Sequence, residues 1–229
     1  MLLSFQSRRV GHATVVTCHG RIVAGDETAA FETYLDDLLS INPLILLHLG
    51  DVDFVDSAGL GLLVRYVTRA QNAAGALRIC AVSAPVERVL NVSRLTPVLQ
   101  PHTTEADAIA DVHRRKTLDA PFAGPDVLCI DESEDVLAYL RELLREAGFH
   151  PMTASNLPDA LILLTATRPR VVVISAAMRA RRGTRSAEEF HRLATGRPVV
   201  ELPDGFARQD AGEAAGHVLD AIRASLTPT

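Results

Sequence analysis

The chain has 229 residues, 48% hydrophobic and 22% charged, the composition of a soluble globular protein with one or two cores. A net charge of −5 favours neither nucleic acid nor an anionic membrane as partner, and no apolar run approaches the roughly 18 residues of a membrane span. Cys18, Cys80 and Cys129 are isolated in apolar runs, without metal-ligand spacing. They read as reduced core cysteines of a cytoplasmic protein, and the N-terminal residues lack a signal-peptide pattern.

The length favours two domains. "VHRRKTLDAPFAGPD", residues 112–126, clusters four bases and then turns rich in proline and glycine. We read it as a linker over 112–125, between a first domain at 1–111 and a second at 126–229. The first half reads β–β–α–β–α–β–α. "ATVVTCH" is a β-branched strand ending at Gly20. "DETAAFETYLDDLLS" places Phe31, Tyr34, Leu35, Leu38 and Leu39 on one helical face. "PLILLHL" is a nearly continuous apolar run, as a central strand buried on both faces requires. A helix from about Ser57 to Asn72 stops before Gly75, "LRICAVS" is a further strand, and "APVERVLNVSRL" a short helix with proline in its first turn.

"DFVDSAGLGLLV", residues 53–64, places a strand end, an acid, a serine and small residues at the start of that helix. The Ser57 hydroxyl is then exposed where unpaired N–H groups and the positive end of the helix dipole point. Three readings follow. Ser57 caps the helix. Alternatively it is a hydrolase nucleophile, although the G-x-S-x-G elbow needs glycine where Val55 stands. Finally it is a phosphorylation switch, in which Asp56 repels the added dianion so that the corner is perturbed.

Residues from about 3 to 111 resemble a STAS domain, the module of bacterial anti-sigma factor antagonists. The resemblance rests on the G-x-I strand end at Gly20–Ile22, the apolar strand before Asp51, "DFVDSAGLG", and "ICAVSAPVERVLNVSRL". It implies a mixed sheet with helices packed on one side. It also implies that Ser57 is phosphorylated by an anti-sigma factor with serine kinase activity, and that a PP2C-type phosphatase reverses this. Asp56, Ser57, Ala58, Gly59, Leu60 and Gly61 are then the partner-binding element, with Gly59 and Gly61 as small residues that admit the partner. The family's second hydroxyl position is Ala58 here.

The second half opens β–α–β–α–β. "DVLCIDESEDVLAYLRELLREAGF" is a strand, an acidic turn and a helix with a stripe of Val136, Leu137, Leu140, Leu143 and Leu144. Apolar Val171–Ile174 is another strand, "RPVVELP" a fourth, and "GEAAGHVLDAIRASL" a closing helix. Such alternation argues for a doubly wound parallel sheet. From Val127 to about Met178 this half resembles the receiver domain of response regulators, with a CheY-like (flavodoxin-like) fold, here expected to be truncated. Asp131 and Glu132 match the receiver's metal-holding acids. Ser175 stands where the phosphoacceptor aspartate belongs, and Pro203 where a hydroxyl residue belongs. This implies a degenerate receiver pocket of Asp131, Glu132 and Ser175. The acids, at a helix start, read as structural rather than metal-binding. The arginines of "MRARRGTR" form either a solvated loop or a patch for an acidic partner.

The expectation is a non-catalytic regulator without cofactor or metal, contacting no nucleic acid and no membrane, with dimerisation through its C-terminal domain. The alternative is a scaffold of a stressosome-like assembly.

Overall fold

The computed structural model describes residues 2–119, 124–181, 183–203, 206 and 211–226, the side chains of 115–119 and 211–213 excepted. The chain divides into two compact units, Met1–Arg114 and Arg115–Thr229.

The first unit opens with β1 (Ser4–Val10) and β2 (Ala13–Ile22), an antiparallel hairpin turned at Gly11. Gly11 holds φ 59°, a left-handed conformation that glycine adopts at little cost. Helix α1 (Asp26–Ile41) crosses to β3 (Leu44–Val55), and α2 (Ser57–Asn72) crosses to β4 (Ala76–Cys80). β2, β3 and β4 are parallel, so the sheet is mixed, in the order β1-β2-β3-β4. Three helices follow: α3 (Ala84–Val92), α4 (Thr96–Leu99) and α5 (Glu105–Asp119).

β3 is twelve residues long, whereas β4 has five and pairs only with Leu44–His48. The second half of β3 therefore projects beyond β4, bonded to β2 on one side alone. On the other side Ser83 reaches back. Its N–H donates to the Leu49 carbonyl at 3.2 Å and its hydroxyl to the Val52 carbonyl at 2.5 Å.

One face of this sheet presents Val16, Cys18, Ile22, Ile45, Leu47, Leu77 and Ile79 to Phe31 and Leu35 of α1, Leu63, Tyr66 and Val67 of α2, and Val86 and Leu90 of α3. The expectation of helices on one side only is corrected here. Alternation along the strands puts Val15, Leu44, Leu46 and Cys80 on the second face, all buried. The cover there is α5, which buries Ala108, Ile109 and Val112. Asp111 Oδ2 on α5 accepts a hydrogen bond from Arg78 Nε on β4 at 2.8 Å, and Glu105 pairs with Arg8 on β1. The reason is in "PLILLHL": a strand apolar at consecutive positions must be shielded on both faces. The stretch read as a linker thus begins inside α5, which continues to Asp119, and residues 120–123 of it lie outside the described residues.

The second unit alternates strand and helix. β5 (Asp126–Ile130), α6 (Glu134–Glu146), β6 (His150–Ala154), α7 (Leu157–Thr167) and β7 (Val171–Ser175) are followed by α8 (Ala176–Ala180), α9 (Arg185–Ala194), β8 (Val199–Leu202) and α10 (Ala211–Leu226). All described pairings are parallel, in the order β6-β5-β7-β8. Val127, Cys129, Val171 and Val173 pack against α6 and α10 through Leu137, Leu140, Leu144, Val218 and Ile222. The opposite face carries Leu128, Ile130, Val172 and Ile174, and α7 packs against β5, β6 and α9. Among the described residues no helix is long and apolar enough to cross a membrane.

Candidate functional site

The sequence places Ser57 at a strand-to-helix corner, and the structure shows what builds that corner. β3 ends at Val55, Asp56 is extended (φ −90°, ψ −176°), and α2 begins at Ser57. Asp56 is the N-cap. Its Oδ1 accepts from the Gly59 N–H at 2.8 Å, satisfying one of the helix's orphan donors. Its Oδ2 accepts from the Ala24 N–H at 3.0 Å, in the loop between β2 and α1. Its own N–H donates to the Ile22 carbonyl at 3.2 Å. One residue therefore ties three segments together, two through its side chain and one through its backbone. The N–H groups of Gly59 and Ala24 hold the Asp56 carboxyl below the usual carboxylate range, with a smaller contribution from Arg21. The sign follows: this contribution to stability is present above the unfolded carboxylate pKa and is lost as the pH falls through the lowered folded value.

The cap reading of Ser57 is thereby corrected, because Asp56 takes that role and leaves the Ser57 hydroxyl exposed at the first helical position. The residues expected to form the partner-binding element differ in burial. Ser57, Ala58 and Gly61 are exposed, whereas Gly59 and Leu60 are buried. A Cβ on Gly59 would lie 2.3 Å from the Ile22 carbonyl oxygen and 2.9 Å from Val55 Cγ1. Gly59 is small so that α2 can seat on the ends of β2 and β3, not so that a partner can approach. Around Gly61 there is open space.

Beside the corner, the guanidinium of Arg21 lies 5.0 Å from the centroid of the Phe54 ring, a cation–π pair on neighbouring strands. Phe54 is 41% exposed, a large apolar surface three residues before Ser57 in the chain. Sequence reasoning missed Arg21, Ala24 and Phe54. The alternation along β3 carried a signal for Phe54, but none exists for an Asp56–Ala24 bond spanning 32 positions.

In the second unit, Asp131, Glu132 and Ser175 do line one pocket, with Pro203, Leu202 and Phe206, of about 230 Å³. It lies where the strands' C-terminal ends open, the usual ligand position of such sheets. The acids are occupied locally. Asp131 Oδ1 accepts from the Ser133 N–H at 2.7 Å, Ser133 in turn caps α6 through Val136, and Glu132 is paired with Arg181. Ser175 supplies a neutral hydroxyl in place of a third carboxylate. Arg179 pairs with Glu201 at 2.8 Å, so this loop's arginines are engaged within the unit at two positions. Arg182 lies outside the described residues.

The protein Rrf1 of Nitratidesulfovibrio vulgaris is 39% identical over 59 residues, which are 26% of this chain and 43% of that protein. An anti-sigma F factor antagonist of Paenibacillus polymyxa is 29% identical over 68 residues, 30% of this chain and 58% of that protein. The chain spans about half the length of the curated relatives it matches. A crystal structure of an anti-sigma factor antagonist from Mycobacterium paratuberculosis covers 48% of this chain and 94% of its own, at 20% identity and a TM-score of 0.43. The STAS domain family matches residues 4–108, which hold all four strands of the mixed sheet, the Ser57 corner and the start of α5. Residues 4–108 of this chain are therefore similar to a STAS domain.

Proposed function

We propose that the protein is a non-catalytic cytoplasmic regulator, an anti-sigma factor antagonist that acts by partner switching under control of Ser57 phosphorylation. The observation that carries this is the exposed Ser57 hydroxyl at the first position of α2, beside an Asp56 carboxylate pinned by two N–H groups. The partner is an anti-sigma factor with serine kinase activity. It transfers the γ-phosphoryl of a bound nucleoside triphosphate to Ser57 Oγ. The bond to the nucleoside diphosphate breaks, and the hydroxyl proton leaves to a base of the kinase. A PP2C-type phosphatase hydrolyses the ester. Unmodified, the corner docks on the kinase and releases a sigma factor. Modified, it brings about −1.5 to −2 charge into an interface already facing Asp56. Desolvating that charge beside a like charge at a cost of about 3 kcal/mol weakens binding on the order of a hundredfold.

Ser57→Ala is expected to fold normally and bind the kinase constitutively, while Ser57→Glu binds more weakly than wild type. Calorimetry with the kinase and intact-mass mapping of protein from its own host read the two halves of the claim. Equal binding by Ser57→Glu, together with no phosphate on Ser57 in the host, would falsify the switch.

For the second half, taken as residues 126–229 with the first domain at 1–111, a pseudo-receiver reading is supported by the parallel order β6-β5-β7-β8. This is the start of the flavodoxin-like order. Phosphoryl transfer in such a pocket needs a carboxylate nucleophile and groups that stabilise charge on the phosphoryl oxygens. Ser175 has no ionised oxygen at neutral pH, and Pro203 donates no hydrogen bond. This half serves as a constant docking or dimerisation surface. The full-length protein, incubated with acetyl phosphate and Mg²⁺, is expected to show no phosphate-dependent gel shift. A shifted band that disappears in Asp131→Asn overturns the reading.

A further inference from the structure

We propose that phosphorylation of Ser57 is read out at the loop between β2 and α1, residues 23–25, with the Asp56 carboxylate as the group that couples the two. The inference rests on the reading of Ser57 as a modified residue, and it names which neighbouring surface changes when the modification occurs.

Both carboxylate oxygens of Asp56 are in use, one on each side of a gap. Oδ1 serves the Gly59 N–H of α2 and Oδ2 the Ala24 N–H of the loop. The loop's remaining ties run to its own helix: Thr28 Oγ1 donates to the Val23 carbonyl, and the Ala29 N–H donates to the Gly25 carbonyl at 3.1 Å. Ala24 and Gly25 are exposed, as are Ser57 and Ala58. The hydrogen bond to Asp56 thus fastens the loop to the corner.

A phosphoryl group on Ser57 Oγ arrives one residue from this clasp. It carries three strong acceptor oxygens and about −1.5 to −2 charge. The donors nearest to it are the N–H groups of the first turn of α2, the same donors that Asp56 uses. The phosphoryl group therefore competes with Asp56 for the Gly59 N–H and repels its carboxylate. As Asp56 turns away, the Ala24 N–H loses its acceptor and the loop is freed from α2. A partner docked across Ser57 and the loop then meets two changes at once, a new charge and a surface that no longer holds its shape. No part of this requires the helices or the sheet to rearrange.

The test compares the full-length protein unmodified, with phosphoserine installed at position 57 through an expanded genetic code, and as Asp56→Ala and Asp56→Asn. Amide hydrogen exchange is read by NMR at Ala24, Gly59 and Leu46, the last as a reporter of the sheet. Expected is exchange at Ala24 on the order of tenfold faster in the phosphoserine form and in Asp56→Ala, with a smaller rise in Asp56→Asn and an unchanged Leu46. Gly59 should stay protected in the phosphoserine form, where phosphate replaces the carboxylate, and lose protection in Asp56→Ala. The proposal is overturned if Ala24 exchanges at the unmodified rate in the phosphoserine form. It is equally overturned if the rise there extends to Leu46, or if Asp56→Ala leaves Ala24 unchanged. No kinase enters the experiment. Failure of the coupling is therefore distinct from failure of the switch itself, which shows as unphosphorylated Ser57 in the host.

Discussion

Gly59→Ala is expected to destabilise the first unit by about 3 kcal/mol, the upper range for forcing an extra carbon into a packed site. The added Cβ meets the Ile22 carbonyl oxygen at 2.3 Å and Val55 Cγ1 at 2.9 Å. The carbonyl is backbone, held in the pairing of β2 with β3 and accepting from the Asp56 N–H, so it does not move aside cheaply. Relief requires α2 to lift from the strand ends, which pulls the Asp56 cap away from Ala24. Gly61→Ala, two residues on, enters open space and should be neutral or stabilising by up to about 1 kcal/mol through helix propensity. Urea unfolding followed by far-UV circular dichroism measures both. Equal midpoints for the two variants would show that α2 seats on β2 differently from the arrangement described here.

Asp111→Ala is expected to cost the first unit about 3 kcal/mol as well, for an electrostatic reason. The Arg78 side chain is only 5% exposed, and Asp111 accepts from its Nε at 2.8 Å across the sheet's second face. Truncating the acid leaves a buried guanidinium that keeps a bond from Nη1 to the Leu77 carbonyl. Removing one partner of a buried pair is the costly change, while replacing both by apolar residues of similar volume is often close to neutral. The double variant Arg78→Met/Asp111→Leu should therefore recover most of the loss. A double variant as unstable as Asp111→Ala would mean that the pair holds α5 in place by direction as well as by charge.

The order of elements was largely legible because these segments have clear periods. The helix after Ser57 spans the residues its pattern implies, since Leu60, Leu63 and Val67 recur at helical spacing and Gly75 follows. The cover on the second face of the sheet was legible in principle. Residues 44–47 are apolar at every position, which no one-sided sheet tolerates, while the bases of residues 113–116 within α5 read as a linker. The candidate site was legible as a position and not as a mechanism. That Ser57 begins a helix follows from pattern. That Asp56 rather than Ser57 caps it depends on the extended backbone at Asp56, and both residue types suit the role. The burial of Gly59 depends on Ile22, 37 positions earlier in the chain and brought there by parallel pairing of β2 and β3. In the second unit, Glu132 gave no sign in the sequence that Arg181 would neutralise it.

The overhang of β3 beyond β4 explains a further property of the corner. A strand edge with unsatisfied N–H and C=O groups is a template on which another copy of the chain can extend a sheet. Here the exposed edge runs up to the exposed Ser57 corner. Asp51 and Asp53, both exposed, put charge along it, and Ser83 occupies the carbonyls of Leu49 and Val52. Two identical molecules meeting edge to edge would bring four carboxylates together. The acids of "GDVDFVDS" thus act as a guard against self-recruitment, and they leave the edge open to a visitor of opposite charge.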